Sequence, residues 1–226
     1  MAAVASFRRE QRRGKPATVA SSRQRIDAAA LRLLAENGYD GLSLQAIADE
    51  VGLHKSTLFH HYRGKAELVE HVVEQVMVGL VERTQSRLEK RPPTLDDLVG
   101  LAEDLVDHFA KEPAAPKVLL HVLLSPKGSP LDLEMAAHPL GVLITTLVTW
   151  LDSARRCGVI RWVRIRHTLM DLIGMLVFHP AAAEKMTYLT GEEPLGGAER
   201  EKRKADVALF VRRALAPESD ESPRKA

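Results

Sequence analysis

Residues 51–65, VGLHKSTLFHHYRGK, carry side chains that could bind a metal, polarise a substrate or contact a polyanion. Histidines that chelate one metal from a helix usually stand four residues apart. His54 and His61 are seven residues apart, about 10 Å along an axis that rises ~1.5 Å per residue. His60 and His61 point about 100° apart on such a helix. The spacing therefore predicts no metal site and leaves contact with a polyanion as the better interpretation. No cofactor is expected.

The elements that would position these side chains are two short helices within residues 43–62, on either side of Val51-Gly52-Leu53. Ser43 can cap the first helix by accepting a bond from a free backbone N–H. Gly52 stands where a tight corner requires positive φ. This pattern predicts a helix-turn-helix. The predicted outward side chains of its second helix include no acid: Lys55, Ser56, Thr57, Phe59, His60 and His61.

Apolar residues recur at helical spacing along nearly the whole chain. The first helix predicted in this way is expected to end at Asn37-Gly38. Loops are expected at 125–130 and 190–197, and no segment convincingly alternates as a strand does. The sequence predicts an all-α fold. The expected segments are a disordered basic arm at 1–21, a helix-turn-helix domain at 22–65, a larger helical domain at 66–217 and a disordered tail at 218–226.

Composition limits the class of protein. The net charge of +2 is too small to indicate a polyanion partner by itself. A basic segment near the N-terminus is typical of a flexible tail and also suits a phosphate backbone; its basic residues are Arg8, Arg9, Arg12, Arg13, Lys15, Arg23 and Arg25. One cysteine excludes an internal disulfide, and the longest apolar run, residues 141–151, is shorter than the roughly 20 residues that cross a bilayer. With no signal peptide evident, the expected location is the cytoplasm, without membrane association.

The order IADEVGL, then STLFHHY, then Lys65 and Leu68 resembles the TetR family of bacterial transcriptional regulators. The resemblance covers about residues 25–70. It implies that 22–65 is a helix-turn-helix DNA-binding domain and that 66–217 is a helical ligand-binding and dimerisation domain. It implies a homodimer that places two recognition helices in successive major grooves of a palindromic operator, about 34–36 Å apart.

Carried over residue by residue, the resemblance implies roles for the site. Ser43 and Thr57 would contact phosphates or base edges. Gln45, Lys55 and His60 would set sequence preference, and His61 and Lys65 would contact the backbone. The full set of DNA-binding candidates also includes Ser56 and Phe59: Ser43, Gln45, Lys55, Ser56, Thr57, Phe59, His60, His61 and Lys65.

Three positions depart from the family pattern. His54 stands where family members usually carry a small capping residue. Phe59 replaces a common tyrosine, so a hydroxyl that would touch phosphate is absent, and Tyr62 stands where phenylalanine is usual.

The larger domain has no nucleotide-binding loop, no GxSxG motif and no paired acid–base residues, so the chain is not expected to be an enzyme. The hypothesis is a DNA-binding transcriptional repressor whose operator affinity is controlled by a small apolar ligand, with the helix at 66–90 as transmitter. Two alternatives remain open: an architectural DNA-binding protein without ligand control, and a helical enzyme.

The resemblance places the dimer surface at about 165–179 and 198–215. The candidate interface residues are Gly174, Val207, Phe210, Val211 and Ala214. The alternative is that the stripe at 207–214 closes the core of the monomer instead.

Overall fold

The computed structural model describes residues 21–89, 92–131 and 138–217, and these form helices without a strand, which confirms the all-α prediction. The predicted tail, and the predicted arm except Ser21, lie outside the described residues. The helices are α1 Ser22–Gly41, α2 Leu44–Val51, α3 Lys55–His61, α4 Lys65–Leu88, α5 Leu95–Lys111, α6 Ala114–Leu123, α7 Pro139–Arg156, α8 Ile165–Ile173, α9 His179–Ala181, α10 Ala183–Thr190 and α11 Gly197–Leu215. A π-helical turn, Gly174–Phe178, continues α8.

Helix α1 extends slightly further than the sequence predicted. It begins with a capping box between Ser21 and Gln24, which satisfies two free backbone N–H groups. Gly38 interrupts the regular geometry with φ 66° and ψ −176°, yet one more turn follows to Gly41. The Leu42 N–H then bonds the Tyr39 carbonyl, and Leu42 is buried. The predicted end at Asn37-Gly38 is therefore a kink, because the buried Leu42 draws the chain back onto the core.

Two apolar clusters form the interior. The first joins the helix-turn-helix to the rest of the chain, since Ile26 of α1, Ile47 of α2 and Leu58 of α3 pack in one cluster with Leu68 of α4 and Val118 of α6. Each such side chain contributes about 1.5–3 kcal/mol when fully buried. The division proposed at residues 65 and 66 thus has a continuous core running across it.

The second cluster lies at the far end and is built from α5, α7, α8 and α11. Val207 and Val211 of α11 are fully buried in it within a single chain. The prediction that these two valines face a partner subunit is therefore wrong, and the alternative that they close the monomer's core is confirmed. Phe210 remains on the surface with 55% exposure, and a Cβ added at Gly174 would meet open space.

An apolar cavity lies between the two clusters, with about 740 Å³ of empty volume, part of it open to solvent. Helices α4, α5, α6, α7 and α8, the π-helical turn and α11 all contribute to its wall. Among the described lining residues, Thr84 is the one polar side chain. A cavity of this chemistry can hold an apolar group but would strongly disfavour an unpaired charge.

None of the helices in the described part of the chain is both long enough and apolar enough to cross a membrane. Within the same residues, no group of three or more His, Cys, Asp or Glu side chains is arranged to hold a metal ion. Most histidines of the larger domain are partly buried instead, and His167 is exposed. Burial, helped by Arg83 and Lys111, lowers the pKa of His108 to about 4, so that this ring is neutral at pH 7.

Candidate nucleic-acid interface

Helices α2 and α3 meet at the predicted corner. The Ser43 hydroxyl accepts a bond from the Ala46 N–H at 3.0 Å, which caps α2 as expected. Gly52 takes φ 65° and ψ 38°, the left-handed conformation that glycine adopts without strain. The Leu53 N–H then bonds the Ala48 carbonyl at 2.9 Å. These local bonds fix the direction in which α3 leaves the turn.

One side chain of helix α3 itself enters the core. Leu58 is 1% exposed and is the buried residue of this seven-residue helix. It packs in the first cluster with Ile47, Ala48 and Val51 of α2. The opposite side of α3 is therefore free to contact a large ligand.

The predicted DNA-contacting residues of α3 lie on that free side. Lys55, Ser56, Phe59 and His60 are exposed, whereas Thr57 and His61 are partly buried. Ser43 and Gln45 are exposed at the start of α2. Helix α3 itself carries no acidic residue, so its outer face presents donors, a cation and an aromatic ring, as contact with a phosphate backbone requires.

Two of the predicted contacts are engaged within the protein. The Gln45 Nε2 donates to Asp49 Oδ1 at 2.8 Å, which uses one of the two N–H groups of its amide. The Lys65 ammonium lies 4.4 Å from the centre of the Tyr39 ring, and 3.5 Å from the Asp40 carbonyl oxygen. Lys65 therefore also joins the start of α4 to the end of α1.

Arg25, named above among the basic residues near the N-terminus, has a structural role. Its guanidinium donates to the Val51 carbonyl at the end of α2. A cation at this position satisfies one of the carbonyls that a helix leaves unpaired, and it complements the negative end of the helix dipole. Arg25 thus fixes α2 against α1.

Sequence reasoning did not find a polar cluster at the base of α3. The Tyr62 hydroxyl donates to Asp27, and Arg23 Nε donates to that hydroxyl at 3.2 Å. His71 Nε2 lies 3.6 Å from Asp27 Oδ2. Burial and the Asp27 carboxylate raise the pKa of Tyr62. The cluster joins α1, the end of α3 and α4, and it gives the Tyr62 hydroxyl a structural role.

The start of α3 lacks a side-chain cap. His54 occupies the N-cap position and makes no capping bond. We expect His54→Ser to stabilise the protein by about 0.5–2 kcal/mol, because a serine oxygen could accept from the free N–H groups of the first turn. Thermal unfolding without DNA should show a melting temperature about 2–4 °C higher per 1 kcal/mol for a chain of this size.

The matched control for this substitution is Ser43→Ala, which removes the cap that α2 does have. It should lower the melting temperature by a similar amount. If His54→Ser melts at or below the wild-type temperature, the first turn of α3 is stabilised by a group other than its N-cap.

Similarity to known proteins points to one family. Residues 26–72 match the family described as bacterial regulatory proteins, tetR family. The HTH-type transcriptional repressor KstR2 of Mycolicibacterium smegmatis is 30% identical over 86 residues. That match covers 38% of this chain and spans 42% of the repressor's length.

Solved structures resemble the chain over most of its length. The ketosteroid transcriptional regulator KstR2 of Mycobacterium tuberculosis superposes with a TM-score of 0.71 at 16% identity, covering 89% of this chain and 98% of that one. The regulator FadR of Bacillus subtilis, solved in complex with stearoyl-CoA, gives a TM-score of 0.63 at 16% identity, with 83% and 96% covered. At these identities the likeness concerns the fold.

These relatives are regulators rather than enzymes, which agrees with the prediction that the chain is not an enzyme. The family match falls on the helix-turn-helix and the start of α4, where the sequence resemblance had been found. The likeness of fold extends through the larger helical part. Residues 26–72 therefore match the tetR family of bacterial regulatory proteins, and the larger helical part shares its fold with solved transcriptional regulators.

Proposed function

We propose that the protein is a homodimeric, sequence-specific repressor that binds a palindromic operator and responds to a small apolar ligand. The observation that carries this proposal is that the helices packed around α3 also line the apolar cavity. Leu58 seats the exposed face of α3 on the first cluster, and helices α4 and α6 contribute to that cluster and also line the apolar cavity. Occupancy of the cavity can therefore alter the position of α3.

In this proposal Lys55, Gln45 and His60 read base edges, while Ser43, Thr57 and His61 set the register through phosphates. Phe59, which is 50% exposed, makes apolar contact, for example with a thymine methyl group. Ser56 and Lys65 add donors at the two ends of the recognition helix.

The proposed dimer surface is the outer side of α8, its π-helical extension and α11. Met170, Phe178, Leu209 and Phe210 are large apolar side chains there with 47–65% exposure. The same helices turn Leu169 and Val211 into the second cluster. An apolar surface of this kind on a helix already packed on its other side is typical of a subunit interface.

The proposed route from ligand to DNA has two branches. The predicted transmitter α4 lines the cavity with Leu80 and Thr84 and begins beside α3. Helix α6 is a second branch, since Leu119 and Leu123 line the cavity while His121 Nε2 lies 3.4 Å from the Ala35 carbonyl of α1. A ligand shifts operator affinity only by its difference in affinity for the two arrangements.

The names of two structural neighbours support an apolar ligand. One is a ketosteroid regulator, and the other was solved with stearoyl-CoA. The stearoyl chain of stearoyl-CoA is hydrocarbon, as is the wall of the cavity in this chain.

The test begins with selection from a random pool of DNA duplexes, at two salt concentrations. We expect a palindrome with half-sites about one helical turn apart. On that duplex, Lys55→Ala should lower affinity about 5- to 150-fold, the value of one base contact of 1–3 kcal/mol. Lys111→Ala removes an exposed lysine at the end of α5 and serves as the charge-matched control.

A different result would favour the architectural alternative. In that case no palindrome is recovered, binding collapses as salt rises, and the two lysine variants lose the same small amount of affinity. The counterion-release contribution then accounts for all of the binding, and the proposed role of Lys55 in base recognition is refuted.

A further inference from the structure

A second pocket adjoins the apolar cavity. It lies between α5, the π-helical turn and the first part of α11, and Leu176 lines both spaces. Its empty volume is about 290 Å³, part of it open to solvent. Among the described residues that line it, the polar ones are His179, Arg200 and Arg203. Cationic and neutral donors face this pocket, in contrast to the hydrocarbon wall of its neighbour.

Arg203 is held in place by a backbone carbonyl. Its Nη2 donates to the Met175 carbonyl at 2.8 Å, which points the guanidinium along the π-helical turn. No carboxylate of the described residues lies within 4 Å of it. Burial lowers the pKa of Arg203, and the Asp206 carboxylate opposes that effect only in part. A partly buried arginine of this kind gains most from an anion that comes from outside.

Arg200 also has unused donor capacity. Its Nε lies 3.3 Å from Asp107 Oδ1 and 3.7 Å from Glu201 Oε1. Neither contact has the alignment of a hydrogen bond, and the buried Nε has no hydrogen-bond partner in the described chain. Asp107 is shared with Lys204, whose ammonium lies 3.0 Å from Oδ2. Asp107 therefore does not fully satisfy Arg200.

His179 completes the pocket. Burial, together with the charge of Arg203, lowers the pKa of His179. The ring is therefore neutral near pH 7 and has one N–H to donate. It adds a donor to the pocket without adding a charge.

We propose that Arg200 and Arg203 bind the carboxylate or phosphate headgroup of an amphiphile whose hydrocarbon chain occupies the apolar cavity. This inference rests on the proposed ligand control and specifies the ligand's chemistry. The cavity can hold the chain but not the charge, because Thr84 is its one polar lining side chain among the described residues. The arginine pocket supplies the planar donors that suit a carboxylate or phosphate. Leu176, common to both walls, is the side chain past which the ligand extends.

The experiment compares three probes with the same chain: hexadecanoate, hexadecyl phosphate and hexadecanol. Calorimetry on the full chain, below the concentrations at which the probes aggregate, measures each affinity. We expect at least one of the two anions to bind about tenfold or more tightly than the alcohol, as a charge-assisted bond to arginine would give. A preference for one anion identifies the headgroup as carboxylate or phosphate.

Arg203→Gln should remove that preference while leaving the affinity for hexadecanol unchanged. The matched control is Arg212→Gln on the same helix, since the Arg212 Nη1 pairs with the exposed Asp96 at 2.6 Å, away from both spaces. If Arg203→Gln fails to fold, Arg200→Gln carries the test, because the Arg200 Nε has no hydrogen bond to lose.

Each contrary outcome has a distinct meaning. Equal affinity of the wild-type protein for anions and alcohol, or equal losses in the Arg203 and Arg212 variants, would refute the headgroup site and leave ligand control intact. Failure of all three probes to bind would also refute it. A headgroup preference without any change in operator affinity would support the site and contradict the proposed switch.

Discussion

Leu58→Ala is expected to lower the free energy of unfolding by about 2–5 kcal/mol, the usual cost of emptying a buried leucine site. It should also abolish specific operator binding at concentrations that saturate the wild-type protein. Leu58 is the one buried residue of α3, whose residues are all described, and the helix has no side-chain cap. Seven residues do not form a stable helix in water without tertiary packing. Removing the anchor therefore releases the whole recognition helix.

The neighbouring Phe59→Ala is the matched control. Phe59 is half exposed, so its loss should change the free energy of unfolding by less than about 0.5 kcal/mol. Urea unfolding and fluorescence anisotropy with the selected duplex measure the two quantities. Wild-type stability in the Leu58 variant would mean that bonds at the ends of α3 hold the helix in place.

The helix-turn-helix could be predicted because its determinants are local. Ser43 caps the helix that follows it, Gly52 supplies the positive φ of its own turn, and Leu58 stands at the spacing that faces Ile47 and Ala48. Each feature depends on residues only a few positions away. Local propensity and tertiary packing agree here, as they do in sequences that fold reliably.

The polar cluster at the base of α3 could not be predicted in this way. Tyr62 and Asp27 are separated by 35 positions, and Arg23 and His71 by 48. Nothing in the spacing of these residues indicates that they meet, because their contact depends on how α1 and α4 pack. The bond from Arg25 to the Val51 carbonyl is of the same kind. The contact between Gln45 and Asp49 could have been predicted, since side chains four residues apart meet on one helix face.

Helix α11 shows where periodicity is ambiguous. Its apolar residues run close to the full circumference, so spacing alone does not distinguish the core side from the partner side. The packing of α11 against α5 determines which side faces the core: Val207 and Val211 turn inward, and Leu209 and Phe210 turn outward. Likewise, the composition of the larger domain indicated an apolar ligand but could not locate Arg200 and Arg203 beside the cavity.

Filling the cavity should separate ligand control from DNA binding. We expect Ala102→Phe to weaken the binding of hexadecanol about 100-fold or more, because the new ring would occupy the space that the hydrocarbon chain needs. Ala102 is buried on α5 and lines the cavity. Overpacking a dense core costs about 1–3 kcal/mol, but empty volume beside this residue should keep the cost near the lower end. The smaller Ala102→Val provides an intermediate step in the same position.

Operator affinity without ligand should stay within a few-fold of the wild-type value in both variants, since Ala102 belongs to the second cluster and not to the one that seats α3. The ligand should then no longer release the Phe variant from DNA, as measured by anisotropy with added hexadecanol or hexadecanoate. A wild-type response of Ala102→Phe to the ligand would place the effector outside this cavity. Loss of operator binding without ligand would instead show that the cavity's volume itself sets the position of α3, because a ring that fills it would then act as the ligand does.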